Sequence, residues 1–329
     1  MIKRVWKVIE QFHFLLFCLL VLSLPLILRR FEAGDYYLSV LVLAGISSIV
    51  VIGLNLLMGY AGQISLGHAA FFGLGAYSSG IITIRYGLSP WLGFALSIGL
   101  NAVVAYILAE PILKLKGHYL AMATLGLGMI FSTLFSNLAI TGGSEGLSVA
   151  KLSILGYALN SRELKEVNYY YFTWSITLLL MHLALNLVNS RVGRALRAIH
   201  ASEVAAHSIG VDIAKFKTQV FVISAVYAGV AGSIFAHYST FLCPPDFGLT
   251  QSIRLLTMGV IGGMSSIWGA VLGAAILTML PQLLDVFAEY DILVYGLVLI
   301  LAIIFMPQGM SQKISLGWEK LTGQRSQGS

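Results

Sequence analysis

Tyr37-Leu-Ser-Val-Leu-Val-Leu-Ala-Gly-Ile-Ser-Ser-Ile-Val-Val-Ile-Gly-Leu-Asn-Leu-Leu57 runs for 21 residues without a charged side chain. As a helix it rises about 32 Å, enough to cross a hydrocarbon core of about 30 Å. The apolar residues follow one another without the two-residue alternation of a barrel strand, so the stretch reads as a membrane-spanning helix. The rest of the chain has the same character. Of its 329 residues 58% are hydrophobic and 10% charged, against roughly 25% charged in ordinary globular proteins, and the mean hydropathy is +0.87. So few charges do not coat soluble domains of this size. Soluble enzyme, nucleic-acid binder and disordered scaffold are excluded, and an all-α polytopic membrane protein remains.

Ten apolar stretches of roughly membrane length fall at 12–28, 37–57, 64–84, 91–109, 119–140, 169–189, 218–242, 249–262, 266–284 and 291–306. Two are weaker: the third holds His68 and a run of glycines, and the eighth is short and carries Arg254, so the range is eight to ten. The first follows Met1-Ile-Lys-Arg-Val-Trp-Lys7 and ends in Arg29-Arg30-Phe31-Glu32 without a small-x-small site, so it reads as a retained helix rather than a cleaved signal. With ten spans and both termini cytoplasmic, the inner segments hold thirteen basic against five acidic residues and the outer ones six against nine. Inside is then +8 and outside −3, and Arg254 in the membrane completes the net +6. A re-entrant eighth segment would put the acidic 285–291 loop inside and the basic tail outside, against the positive-inside rule. The basic excess thus reports cytoplasmic loops rather than nucleic acid. Cys18 and Cys243 make neither a disulfide framework nor a structural metal site. Residues 1–329 read as one membrane domain with a polar tail at 320–329, and no cofactor or metal is expected.

Two loops are long, an outer one at 141–168 and an inner one at 190–217. On a helical wheel over 194–209, Ala195, Ala198, Ile199, Ala205, Ala206 and Ile209 share one face, and Arg197, His200, Glu203 and His207 the other. Leu196 and Val204 break this pattern. Gly210 supplies a left-handed stop. Such a helix suits docking into a groove on another protein; a basic loop lying on anionic lipid is the alternative.

Several longer blocks carry a family resemblance. Gly193-Arg-Ala-Leu-Arg-Ala-Ile199, followed by Glu203, Ala205-Ala206 and Gly210, resembles the shared cytoplasmic loop of bacterial ABC importer permeases, as does Phe221-Val-Ile-Ser-Ala-Val-Tyr-Ala-Gly-Val-Ala-Gly232. Gly53-Leu-Asn-Leu-Leu-Met-Gly-Tyr-Ala-Gly-Gln-Ile-Ser-Leu-Gly-His-Ala-Ala-Phe-Phe-Gly-Leu-Gly-Ala-Tyr77 is similar to the signature of the branched-chain amino acid permease family, LivM type. Lys116-Gly-His-Tyr-Leu-Ala-Met-Ala-Thr-Leu125, Thr141-Gly-Gly-Ser-Glu-Gly-Leu147, Leu256-Thr-Met-Gly-Val-Ile-Gly-Gly-Met264 and Trp268-Gly-Ala-Val-Leu-Gly-Ala274 continue it, so that it spans about 40–310. The family's Glu-Ala-Ala wording here carries an extra residue, Val204. The resemblance implies the ABC importer permease fold, the bacterial inner membrane, two cytoplasmic ATP-binding subunits, a distinct second permease subunit and a periplasmic solute-binding protein. Within 190–217, Gly193, Arg194, Arg197, Glu203, Ala205, Ala206 and Gly210 would form the coupling loop. The chain has no Gly-Lys dipeptide and hence no phosphate-cradling loop of its own; ATP is the partners' business.

Inside the membrane, residues 59–75 combine Gly59, Gly62, Gly67, Gly73 and Gly75 with Gln63, Ser65 and His68. Either the glycines break a helix whose freed amides meet a carboxylate along the translocation path, or they let helices pack closely. Asn55, Thr124 and Asn137 are further polar candidates. Arg254 either faces a cavity or snorkels to the interface. Gly59-Tyr-Ala-Gly62 and Gly259-Val-Ile-Gly262 echo one another faintly. Family members for urea, amides or aromatic acids are the alternative in substrate. An ion-driven carrier would need an acidic residue in mid-span, and an intramembrane hydrolase a nucleophile with its base; neither pattern is present.

Overall fold

The computed structural model describes residues 2–30, 34–154, 157–158 and 164–283, together with 297 and 300. The expected last span at 291–306 and the tail at 320–329 lie outside the described residues. The helices are α1 (Ile2–Leu28), α2 (Gly34–Asn55), α3 (His68–Arg85), α4 (Pro90–Leu113), α5 (His118–Asn137), α6 (Lys165–Asn189), α7 (Arg191–Ala201), α8 (Glu203–Ser208), α9 (Ile213–Ser239), α10 (Leu249–Gly262) and α11 (Ile267–Leu283). Four two-residue strands, β1 (Leu147–Ser148), β2 (Ser153–Ile154), β3 (Tyr157–Ala158) and β4 (Phe241–Leu242), pair antiparallel as β1 with β4 and β2 with β3. Among the described residues five segments are long and apolar enough to cross a membrane: Gly34–Tyr60, Pro90–Leu113, His118–Asn137, Lys165–Asn189 and Ile213–Ser239.

α2 is apolar on all sides, and such a helix must be enclosed. It runs through the centre, packed by α6, α9, α10 and α11. Its neighbours are tied by hydrogen bonds: Trp174 Nε1 donates to the Leu41 carbonyl at 3.0 Å, and Tyr227 Oη to Leu180 at 2.9 Å. α3 and α9 approach to backbone contact, where a Cβ on Gly75 would strike Gly229 and one on Gly232 would strike Phe72. Gly59, Gly67 and Gly73 likewise abut other parts of the chain too closely for a Cβ, as in close packing.

The expected span 64–84 begins only at His68. Residues 61–67 are non-helical, and they reach Thr124, six residues into α5, where the Leu66 amide donates to Oγ1 at 3.0 Å. His68, the first residue of α3, reaches Ser224, eleven residues into α9. At 1.5 Å per residue those points lie about 9 and 16 Å from the helix starts, so α3 starts within the body. Irregular backbone survives at such depth only when buried in protein, and Gln63, Ser65 and Gly67 are buried. α10 is short as well, about 21 Å by the same rise. Its first turn touches that of α3, with the Ala69 amide donating to Ser252 Oγ at 3.3 Å.

Helix ends sort into two faces. One gathers α7, α8, the end of α2 and the α10–α11 turn. The other gathers the β1–β4 pair, the Arg85 contact to the Ala139 carbonyl (2.7 Å), and Tyr238 with Glu166 (2.7 Å).

Candidate functional site

The 190–217 segment folds as two short helices rather than the single helix expected over 194–209. Ser202 takes an extended conformation and starts a new helix, its Oγ accepting from the Ala205 amide at 3.3 Å; Ser190 caps α7 in the same way through Val192. The break re-phases the faces. The buried stripe is Gly193, Leu196, Ile199 and Ala206, while Ile209 and Ala205 are exposed. The two residues that broke the expected pattern are thereby explained: Leu196 is core, and Val204 points away, 79% exposed beside Ile209 at 75%. Gly210 stops α8 as expected, with φ +81°. Its amide bonds to His207 (2.9 Å) and that of Val211 to Ala206 (3.0 Å), the two bonds of a Schellman motif. Arg194 and Arg197 are exposed.

Glu203 fixes the loop to the body. Its Oε1 accepts from Lys217 at 2.5 Å and its Oε2 faces Lys116 at 3.1 Å, which joins α8 to the first turns of α9 and to the α4–α5 turn. Burial pushes the Glu203 carboxyl up, but the hydrogen bonds from both lysines and their charge outweigh this and hold it below its ordinary value. Lys217 is 4% exposed and Lys116 74%, so the Lys217 contact carries the energy and the Lys116 contact little. Lys217 and Lys116 were only loop charges in the sequence; their partnership is set by tertiary packing over long separations.

At the end of α2 the backbone widens into a π-helical turn, Leu56–Tyr60. His200 of α7 reaches it, its Nδ1 donating to the Gly59 carbonyl at 2.9 Å. Asn55 Nδ2 donates to the carbonyls of Gly263 (3.1 Å) and Ser266 (2.9 Å), and Tyr60 Oη to Ser265 (2.8 Å). The echoing segments 59–62 and 259–262 are thus two helix ends on the same face, and Asn55 is committed to the α10–α11 turn. Between α7 and the body a cleft of about 590 Å³ is lined by Gly59, Tyr60, Asn189, Arg197, His200 and Ser265.

Ser65, His68 and Thr124 converge where α3 begins. Ser65 Oγ and His68 Nδ1 lie 2.9 Å apart, and His68 Nε2 and Ser224 Oγ 2.5 Å. Gln63 Nε2 donates to the Ala61 carbonyl at 3.0 Å. Asn137 is exposed and bonds to its own helix at Thr133, 2.8 Å. Arg254 stands apart from this cluster, in electrostatic contact with Asp246, whose carboxyl burial pushes up while a hydrogen bond at Cys243 and the Arg254 charge pull it back. A second buried histidine, His237, was not singled out in the sequence; it bonds to Ser79 (2.9 Å) and to the Ala150 carbonyl (2.8 Å), tying α9 to the segment between the β pairs. Among the described residues no group of three or more His, Cys, Asp or Glu side chains is arranged to hold a metal.

The family described as "branched-chain amino acid transport system / permease component" matches residues 36–303. The high-affinity branched-chain amino acid transport system permease protein LivM of Salmonella typhimurium is 34% identical over 284 residues, 80% of this chain and 67% of the relative. LivM of Escherichia coli is 33% identical over the same shares. LivH of Escherichia coli is 26% identical over 80% of this chain and 90% of its own length. No solved structure matches. These relatives are permease proteins of transport systems, not enzymes. With that family spanning most of its length, the chain belongs to the branched-chain amino acid transport permeases.

Proposed function

We propose that this chain is one of two membrane subunits of an ATP-driven ABC importer for branched-chain amino acids in the bacterial inner membrane. It sits on two cytoplasmic ATP-binding subunits and receives substrate from a periplasmic solute-binding protein; the second membrane subunit is a LivH-like permease. The observation that carries this reading is the α7–α8 element. It stands on the body through Leu196, Ile199 and the Glu203 clamp, and it turns Val204 and Ile209 outward among Arg194, Arg197 and His207. Exposed apolar residues on a basic element suit a protein groove with an acidic rim.

In this reading the α7–α8 face is cytoplasmic, the chain crosses the membrane ten times with both termini inside, and 1–329 is a single permease domain ending in the 320–329 tail. Gly193, Arg194, Arg197, Glu203, Ala205, Ala206 and Gly210 form or frame the seat of the ATPase. Closure of the ATPases moves this seat and tilts the spans between outward- and inward-open states. Ser65, His68 and Thr124 shape the path by holding 61–67 open at mid-depth, with Gln63 beside them. Asn55 acts by fixing the α10–α11 turn, and Arg254 by its charge at the start of α10.

Mild-detergent purification from native membranes, mass spectrometry of the partners and leucine uptake by the reconstituted complex test this. Two ATPases, a LivH-like permease and ATP-dependent uptake are expected. A chain recovered alone, with uptake following an ion gradient, would overturn the proposal.

A further inference from the structure

We infer that His200 is a positioning residue that transmits movement of the coupling element into the centre of the protein by capping the end of α2. This rests on the proposed ATPase seat and adds the route by which the motion enters the membrane body.

A helix leaves its last carbonyls without partners, and those groups carry the negative end of its dipole. α2 and its π-helical turn form a continuous 27-residue segment, the most enclosed of the five apolar spans among the described residues. The bonding of that turn skips a carbonyl: the Gly62 amide returns to Met58 and the Gln63 amide to Leu57, while the Gly59 carbonyl takes its hydrogen bond from His200. The cap therefore comes from another element, and from the one that would move with the ATPase. Arg197, one turn earlier on α7, lines the same cleft, so α7 brings two basic side chains to the negative end of the central helix. Gly62, at φ +69°, lies beside the His200 ring; a Cβ there would stand 3.3 Å from it.

Beyond the cap the contacts continue without a gap. Tyr60 and Asn55 hold the α10–α11 turn through Ser265, Gly263 and Ser266, and Gly59 abuts Met264 so closely that any side chain at position 59 would strike its carbonyl. A displacement of α7 by the ATPase is thus delivered to α2 and to the α10–α11 hairpin at one point. The Glu203 clamp does something different: it ties α8 to the α4–α5 turn and α9, outside this route.

The test compares His200→Leu, His200→Gln and His200→Asn in the purified full complex in liposomes, reading leucine moved per ATP hydrolysed. A defect of folding or assembly lowers transport and hydrolysis together and leaves that ratio unchanged, so the ratio isolates positioning. Asn places an amide donor where Nδ1 stands, whereas the Gln amide reaches the Nε2 position. The ratio is expected to fall at least tenfold in His200→Leu and His200→Gln and to stay within threefold of wild type in His200→Asn. If the leucine variant does not assemble, the Gln and Asn pair decides alone. An unchanged ratio in His200→Gln, or Asn as poor as Gln, would overturn the role of His200 while leaving the ATPase seat intact. A wild-type complex that recovers no ATPase would overturn both.

Discussion

Glu203 stands between two lysines of very different exposure, and the consequences of removing it follow from the buried one. Glu203→Ala leaves the Lys217 ammonium enclosed without its counter-charge, a change of the kind that costs about 3 kcal/mol. Glu203→Lys adds a third positive charge and should abolish uptake although the chain still inserts. Trypsin cleavage within 190–217 before and after each substitution measures the loosening, and unchanged cleavage in Glu203→Ala would refute the clamp. Lys116→Ala, at the exposed end, should change stability by less than about 1 kcal/mol. The pH dependence has a definite sign. A carboxyl held below its usual value contributes stability that is complete above its unfolded value, about 4.3, and is lost as the pH falls through the lower folded value. Protection of the loop should therefore be flat at and above the ordinary carboxylate range and decay only below it; a decay already under way near neutral pH would refute the assignment to Glu203.

At the level of elements, the α7–α8 pair depends on two local signals. Ser202→Ala removes the cap of α8 and should cost about 1 kcal/mol. Gly210→Ala puts a Cβ into the left-handed region, for about 1–2 kcal/mol, and Gly210→Pro cannot adopt φ +81° at all. Faster hydrogen exchange of the 203–209 amides, with the body unaffected, is the expected readout. The Gly210 stop was legible in the sequence because a helix stop is a property of one residue. The Ser202 restart is not legible from a single helical period, because it depends on a serine hydroxyl that competes for backbone amides, and the burial of Leu196 and exposure of Val204 follow from that restart. The long apolar helices were legible too, since hydropathy alone places them. The late start of α3 was not, because Leu66 and His68 find their partners on α5 and α9, far along the chain. Gly75→Leu should separate α3 from α9 and prevent accumulation of the protein, whereas Gly126→Ala, with open space around it, should be tolerated.

For the whole molecule, the two faces defined by helix ends predict a labelling pattern. With Cys18 and Cys243 replaced, a cysteine at Ser144 should react with an impermeant maleimide from outside intact cells, and one at Ser208 only after the inner face is opened. Reversal of that pattern would invert the topology. The buried irregular segment 61–67 has a further consequence, in time rather than in space. The Leu66 amide, the His68 ring and the Ala69 amide take their partners at Thr124, Ser224 and Ser252, and the last of these is synthesised 185 residues after Gly67. At roughly 5–20 residues per second a nascent chain carries that unsatisfied segment for about 9–37 s before its last partner leaves the ribosome. During that interval the break is a mark of immaturity that membrane chaperones and proteases can read, and completion of α10 erases it.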